Sequence, residues 1–391
     1  MSDSLKPIYL DYAATTPVDP RVFEAMEPFL RDRFGNPSSI HSFGQDALVA
    51  VETARRQVAG LLNADPSELV FTGSGTESDN AALIGAGNAL ESRGNHIITT
   101  SIEHHAVLAC CEFMAENGFD VTVVPPGSNG IVTLSEIEKA VTEKTALISV
   151  MHANNEIGTL QPIAAIGAFA RSRGIVFHTD AVQTFGHVPI DVQSMRIDLL
   201  SLSAHKLYGP KGVGALYIRK GTPFEPILHG GGQENGRRSS THNVPGIAGL
   251  GMAAEIAGME MKREGQRLLD LRKRLLRGLL ADLKGVRLNG DPENRLENNL
   301  NLSIDGVEGE SLIMALDLEG VAASSGSACS SGSGEMSHVL KALGLPPHKA
   351  RGSLRLSLGR FTTREECDRA VEAVVKAVER LRRLSSSGVP A

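Results

Sequence analysis

Three polar clusters and a handful of single residues in this 391-residue sequence have the types and spacing to do chemistry. The first cluster is Thr72-Gly-Ser-Gly-Thr-Glu-Ser78, which follows a short apolar run and opens a helical pattern. Free backbone N–H groups at such a helix start bind an anion, above all a phosphate. Gly-Ser-Gly is equally ordinary turn chemistry, and it matches neither the P-loop nor the full dinucleotide fingerprint. The second cluster, His178-Thr-Asp180-Ala-Val-Gln183, puts a carboxylate just past an apolar run. There it could pair with a protonated heterocycle or cap a helix. The third is Ser201-Leu-Ser203-Ala-His205-Lys206, a lysine in a turn of small residues. A lysine amine forms Schiff bases with carbonyl compounds, although a surface lysine is the commoner case.

Together the three narrow the choice. An anion cradle, a carboxylate and a lysine, each beyond a strand end, suit a cofactor with a phosphate, a basic ring nitrogen and an aldehyde. Pyridoxal phosphate has all three. Two further residues stand out. Cys329 lies in Ala322-Ala-Ser-Ser-Gly-Ser-Ala-Cys-Ser-Ser-Gly-Ser-Gly-Glu335, a run with almost no large apolar side chain. An exposed, mobile loop is the expectation, with its thiol either used or incidental. Arg355 alternates with Leu354 and Leu356, so it projects to the opposite face from them. Its guanidinium could grip a carboxylate through two parallel hydrogen bonds or make a surface salt bridge. Arg360 is the weaker candidate for the same task.

The elements that must position these residues alternate along the first two-thirds of the chain. Short apolar runs at 68–72, 96–100, 121–124, 146–150, 175–178 and 199–202 read as buried strands, with helical patterns at 78–90 and 105–117 between them. Such alternation predicts an α/β domain with a largely parallel sheet, whose ligands sit beyond the carboxyl ends of the strands. A long charged helix over about 256–283 reads as the bridge to a smaller domain. In it, runs at 299–304 and 353–358 alternate apolar and polar residues as a half-covered sheet would. An amphipathic helix over 364–384 follows, then a Ser-Gly tail expected to be disordered.

Bulk properties exclude other classes. With 39 basic and 45 acidic residues the net charge is −6, which gives no general attraction to nucleic acid or an anionic membrane. No run approaches the ~18 apolar residues of a membrane span. Without the apolar run of a secretory signal, the cytoplasm is the expected compartment. Four cysteines, Cys110, Cys111, Cys329 and Cys367, show neither a disulfide framework nor a zinc-type Cys-x-x-Cys pair. Cys110, Cys111 and Cys367 sit in amphipathic helical patterns and read as packing residues.

The sequence resembles the class V aminotransferase superfamily, and more closely the cysteine desulfurases of the NifS/IscS type. The likeness runs from Tyr9-Leu-Asp-Tyr-Ala-Ala-Thr-Thr16 to about Val378. Its most specific motifs are Ser203-Ala-His-Lys206, Met151-His-Ala-Asn-Asn-Glu-Ile-Gly158 and Ser324-Ser-Gly-Ser-Ala-Cys-Ser330. The resemblance implies the pyridoxal-phosphate-dependent transferase fold type I. Its large domain, residues 16–260, would hold a mostly parallel seven-stranded sheet. A smaller α+β domain, residues 1–15 and 261–391, would carry the catalytic cysteine loop at about 322–335.

The same resemblance implies site roles. Lys206 would hold the cofactor as a Schiff base, Asp180 would pair with the ring nitrogen, Gln183 would contact the ring hydroxyl and His104 would stack on the ring. Gly75, Thr76, Ser203 and His205 would bind the phosphate, completed by Thr241 across a homodimer interface. Asn155 would lie beside cofactor and substrate, and Arg355 would bind the substrate carboxylate. L-cysteine would give L-alanine, with sulfur passing as a persulfide on Cys329 to an acceptor protein such as an iron–sulfur scaffold. No resident metal is implied, beyond Cys329 ligating an iron–sulfur cluster in passing. The rivals are a selenocysteine lyase or another class V aminotransferase, and a non-catalytic sulfur-transfer scaffold that keeps the fold.

Overall fold

The computed structural model describes residues 6–326 and 336–386. Its larger sheet has seven strands in the order Leu69–Thr72, Gly214–Ile218, Leu199–Ser203, Val176–Asp180, Thr145–Ser149, His96–Thr100 and Asp120–Val124. Gly214–Ile218 runs antiparallel to both its neighbours, and the remaining pairs are parallel. Parallel neighbours need crossovers, and helices such as Gly75–Leu90, His105–Glu116 and Ile163–Arg173 supply them. Most of the strands are buried throughout because helices cover both faces. Register then places the chemistry. Gly214 pairs with both Thr72 and Ser203, so the glycine-rich turn and the lysine turn leave the same edge of the sheet. Asp180 pairs with Ser201 and ends the next strand at that edge.

The helix expected from about residue 256 in fact spans Val244–Asp282. Asn243 caps it by accepting from the Gly246 N–H at 3.1 Å, and Pro245 occupies its first turn, where the missing N–H costs nothing. The early turns were obscured by Gly246, Gly249 and Gly251, which lower helix propensity. Those glycines permit close packing: a Cβ on Gly251 would lie 2.6 Å from that of Ala54 on the helix Ser42–Leu62. The helix joins two apolar cores. Leu250 and Ile256 belong to the core against the large sheet, while Leu271, Leu275 and Leu279 belong to a second core against the small one.

That small sheet is antiparallel, in the order Ser353–Ser357, Asn299–Ile304, Val286–Leu288. Its alternation does not mark a solvent face, as the pattern suggested. Asn299, Asn301, Ser303, Ser353, Arg355 and Ser357 are all buried, because other segments cover the polar side and bond to it. Asn289 Nδ2 donates to Asn301 Oδ1 at 2.8 Å and to Ser303 Oγ at 2.9 Å. The amides of Asn299 and Asn301 both donate to the Glu156 carbonyl at 3.2 Å. Buried polar groups are tolerated when paired in this way.

At the start of the described chain, Ile8–Tyr9 pairs in parallel with Val321–Ala322. Asp11 then bridges to Ser357. The closing helix spans Arg364–Ser386. Among the described residues, no helix is long and apolar enough to cross a membrane.

Candidate active site

Beyond the carboxyl edge of the large sheet lies a cavity of about 290 Å³. Ten of the residues singled out in the sequence line it: Gly75, Thr76, His104, Asn155, Asp180, Gln183, Ser203, His205, Lys206 and Arg355. Thr241 is exposed and does not line it. Cys329 lies outside the described residues.

One wall is the start of the helix Gly75–Leu90. Ser74 caps it by accepting from the Glu77 N–H at 3.1 Å, so the positive end of the helix faces the cavity. Gly75 is needed there: a Cβ would come within 2.6 Å of Val182 Cγ2. Beside it, Asp180 Oδ1 accepts the Val182 N–H at 2.8 Å. Asp180 therefore both ties the following turn and faces the cavity. Burial pushes its carboxyl up to about 6, opposed by the Val182 N–H and the Lys206 charge.

Lys206 Nζ donates to the carbonyls of Ala13 at 2.6 Å and Ala14 at 2.8 Å. Gln183 Nε2 donates to the same Ala13 carbonyl at 3.0 Å. His205 Nδ1 lies 3.1 Å from Thr15 Oγ1, so the segment 13–15 organises three of the expected site residues. Burial, with the Lys206 and Lys211 charges behind it, holds His205 down at about 4.

His104 both starts a helix and lines the cavity. Its Nδ1 accepts the Ala106 N–H at 3.1 Å, capping the helix His105–Glu116, while the ring lines the cavity. Burial first, then the Lys206 charge, brings its pKa down to about 4. At neutral pH the ring is uncharged, and with Nδ1 accepting, the proton resides on Nε2.

Arg355 is not the surface ion pair its alternative reading allowed; it is 1% exposed. Nη1 donates to the carbonyls of Asn155 at 3.0 Å and Gly326 at 2.8 Å, and Nη2 to Asp11 Oδ1 at 2.8 Å. Its Nε has no partner among the described residues. Arg360 lies elsewhere, paired with Asp19 at 2.6 Å and Glu264 at 3.0 Å over the Tyr208 ring. Thr241 sits on a loop tied by Glu234, whose carboxylate pairs with Arg55 at 2.7 Å and His242 at 2.6 Å.

Several cavity residues were given no role from the sequence: Ala13, Ala14, Asp79, His105, Glu156 and His338. Asp79 falls one helical turn after Gly75, a spacing that shares a face. Glu156 lies inside the 151–158 motif, and burial raises its carboxyl pKa while Ser337 Oγ donates to it at 2.5 Å. The His105 and His338 rings lie 4.7 Å apart, a meeting that no local pattern foretells. Cys110, Cys111 and Cys367 are buried, and burial pushes each thiol up to about 12, which leaves them inert packing groups.

Residues 8–370 match the family described as aminotransferase class-V. The chain is 51% identical over 378 residues to the cysteine desulfurase IscS of Dictyoglomus turgidum, covering 97% of this chain and 96% of that one. A solved NifS-like protein superposes with a TM-score of 0.90 at 40% identity, covering 95% of this chain and 99% of that one. A structure of SspA in complex with cysteine gives a TM-score of 0.82 at 39% identity, covering 91% and 100%. The chain belongs to the class-V aminotransferase family, and within it to the cysteine desulfurases of the NifS/IscS type.

Proposed function

We propose that the chain is a pyridoxal-phosphate-dependent cysteine desulfurase that converts L-cysteine to L-alanine. The sulfur passes to Cys329 as a persulfide and on to an acceptor protein such as an iron–sulfur scaffold. One observation carries this reading: a helix start, a buried carboxyl, an amine and a guanidinium line one cavity. The donor set fits the cofactor part by part. Bare backbone at Gly75, with Thr76, Ser203 and His205, suits the phosphate. Asp180 suits a protonated ring nitrogen, since an ionised carboxylate only accepts hydrogen bonds. Gln183 suits the ring hydroxyl, His104 the ring face, and the Lys206 amine the aldehyde. When bound, the group supplies an electron sink for charge developing at the substrate Cα.

The chain's own residues divide the remaining work. Arg355 would exchange its carbonyl partners for the substrate carboxylate, gaining charge-assisted hydrogen bonds, with Asn155 beside it. Lys206 Nζ would take the proton that leaves Cα. Neutral His104, with its proton on Nε2, is suited to donate a hydrogen bond to the substrate sulfur. The Cys329 thiolate would attack that sulfur. An S–S bond forms as the C–S bond breaks, and the electron pair left on carbon is protonated as alanine is released. In a homodimer, Thr241 would complete the phosphate site of a second copy. The reading also divides the chain into a cofactor-holding domain, 16–260, and a smaller one, 1–15 with 261–391, which the two apolar cores support.

The test is to measure alanine and protein-bound persulfide made from cysteine by the wild type and Cys329→Ala. The variant should lose persulfide delivery while its cofactor absorbance stays. Delivery at the wild-type rate would refute the assignment.

A further inference from the structure

Asp79 has no task in the reading above, yet it lines the cavity. It is 1% exposed, and its Oδ1 has no hydrogen-bond partner among the described residues. The nearest base is His178, with Nε2 3.7 Å from that oxygen. The imidazole is satisfied without a charge: Nδ1 lies 2.8 Å from Ser149 Oγ and Nε2 3.0 Å from Ser201 Oγ. A hydroxyl serves either ring nitrogen, as donor or acceptor.

The other titratable groups around Asp79 are Asp180 at the end of Val176–Asp180, Glu103 beyond His96–Thr100, and Cys110 on the helix His105–Glu116. None is a cation. The cavity's lysine, Lys206, directs Nζ at the Ala13 and Ala14 carbonyls, and Arg355 directs Nη2 at Asp11. An ionised Asp79 would thus be a buried charge beside a second carboxylate, the arrangement that most disfavours ionisation. Asp180 is built the other way, because the Val182 N–H donates to it. Two neighbouring carboxyls in such different settings divide one charge unequally.

We propose that Asp79 is a positioning residue for the ring-nitrogen site: it stays a neutral acid, so that Asp180 alone carries negative charge at that site. This rests on the pyridoxal phosphate reading. The titration directions agree. Burial, and then the Asp180 charge, raise Asp79 well above the ordinary carboxyl range, only partly offset by a Ser201 hydrogen bond.

The experiment begins without cofactor. Infrared difference spectra between the apo wild type and Asp79→Asn at pH 7 should show the carbonyl stretch of a protonated acid that the variant lacks. A carboxylate band in its place overturns the proposal. Pyridoxal phosphate is then titrated into each apo protein by calorimetry. Asp79→Asn, which copies the neutral acid, should bind within about threefold of wild type. Asp79→Leu, which is neutral but cannot keep the hydrogen bond to Ser201, and Asp180→Asn should each bind at least roughly tenfold more weakly. A loss in Asp79→Asn as large as that in Asp180→Asn overturns the proposal, as does wild-type affinity in Asp79→Leu. Should Asp79→Leu fail to fold, Asp79→Ser replaces it under the same thresholds. A wild type that binds no pyridoxal phosphate sinks the cofactor reading instead, and the infrared arm still decides the state of Asp79.

Discussion

Arg355 Nη2 donates to Asp11 Oδ1 at 2.8 Å, tying an edge strand of the small sheet to the first segment of the chain. The pair fixes one branch of the guanidinium and leaves Nη1 on two backbone carbonyls, Asn155 and Gly326. Carbonyls are weaker partners than a carboxylate. The fork is therefore pre-aimed, and the carbonyl contacts are the ones a substrate would replace.

Arg355→Lys should raise the KM for cysteine roughly tenfold or more, because an ammonium cannot reproduce two parallel hydrogen bonds. Cofactor absorbance should not change. Asp11→Asn keeps an acceptor but loses the charge, and a rise of only about two- to fivefold is expected from a partner that orients Arg355 rather than binding substrate. Steady-state kinetics on both variants check this, and an unchanged KM in Arg355→Lys would sink the role given to Arg355.

Gly75→Ala puts a Cβ where Val182 Cγ2 already stands, 2.6 Å away. Overpacking of this kind costs about 1–3 kcal/mol and should move the helix start off its anion. Pyridoxal phosphate affinity is expected to fall about tenfold, and Gly75→Ala with Val182→Ala should regain most of it. Equilibrium titration of the apo proteins decides; no recovery in the double variant would mean that the clash is not the cause.

The buried histidines predict a particular acid response. His178 is held down at about 3 and His152 at about 4, both by burial. Each titrates near 6.5 when unfolded, so between those values the unfolded chain binds more protons. Stability therefore falls as pH drops below 6.5, by roughly 2 kcal/mol per histidine at pH 5. Glu103, pushed up to about 8 by burial, and Asp180 act in the opposite direction. Comparing variants isolates one histidine: urea unfolding of His178→Gln at pH 7 and pH 5 should show a smaller drop than the wild type. An equal drop would remove His178 from the account.

Much of this fold was legible because strand and helix periods alternate from Leu69 to Asp180, whereas Gly214–Ile218, which follows Leu199–Ser203 with no α-helix between, was not read as a strand. The three chemical clusters were found for the same reason, each standing where a strand stops. What escaped the sequence depends on partners far away along the chain. The polar residues of 299–304 and 353–357 look like a wet face, and only the approach of Glu156 and Asn289 makes them a buried one. Asp79 reads as one polar residue among several on an ordinary helix. The first three turns of Val244–Asp282 were hidden by glycines whose use is the close contact with Ala54.

The carbonyls that hold Lys206 belong to Ala13 and Ala14, and Ala13 N is fixed in turn by Ser357 Oγ at 2.9 Å, 344 positions along the chain. Such a closure comes late in folding, because its loop entropy is repaid only once both ends exist. A ribosome extrudes the whole large sheet, with Asp180 at one strand end and Lys206 just beyond another, before residue 357 is made. The growing protein thus carries the Lys206 amine, from residue 206 until residue 357 is made, with the seat of that amine unfinished, and the seat is completed only as the last strand arrives.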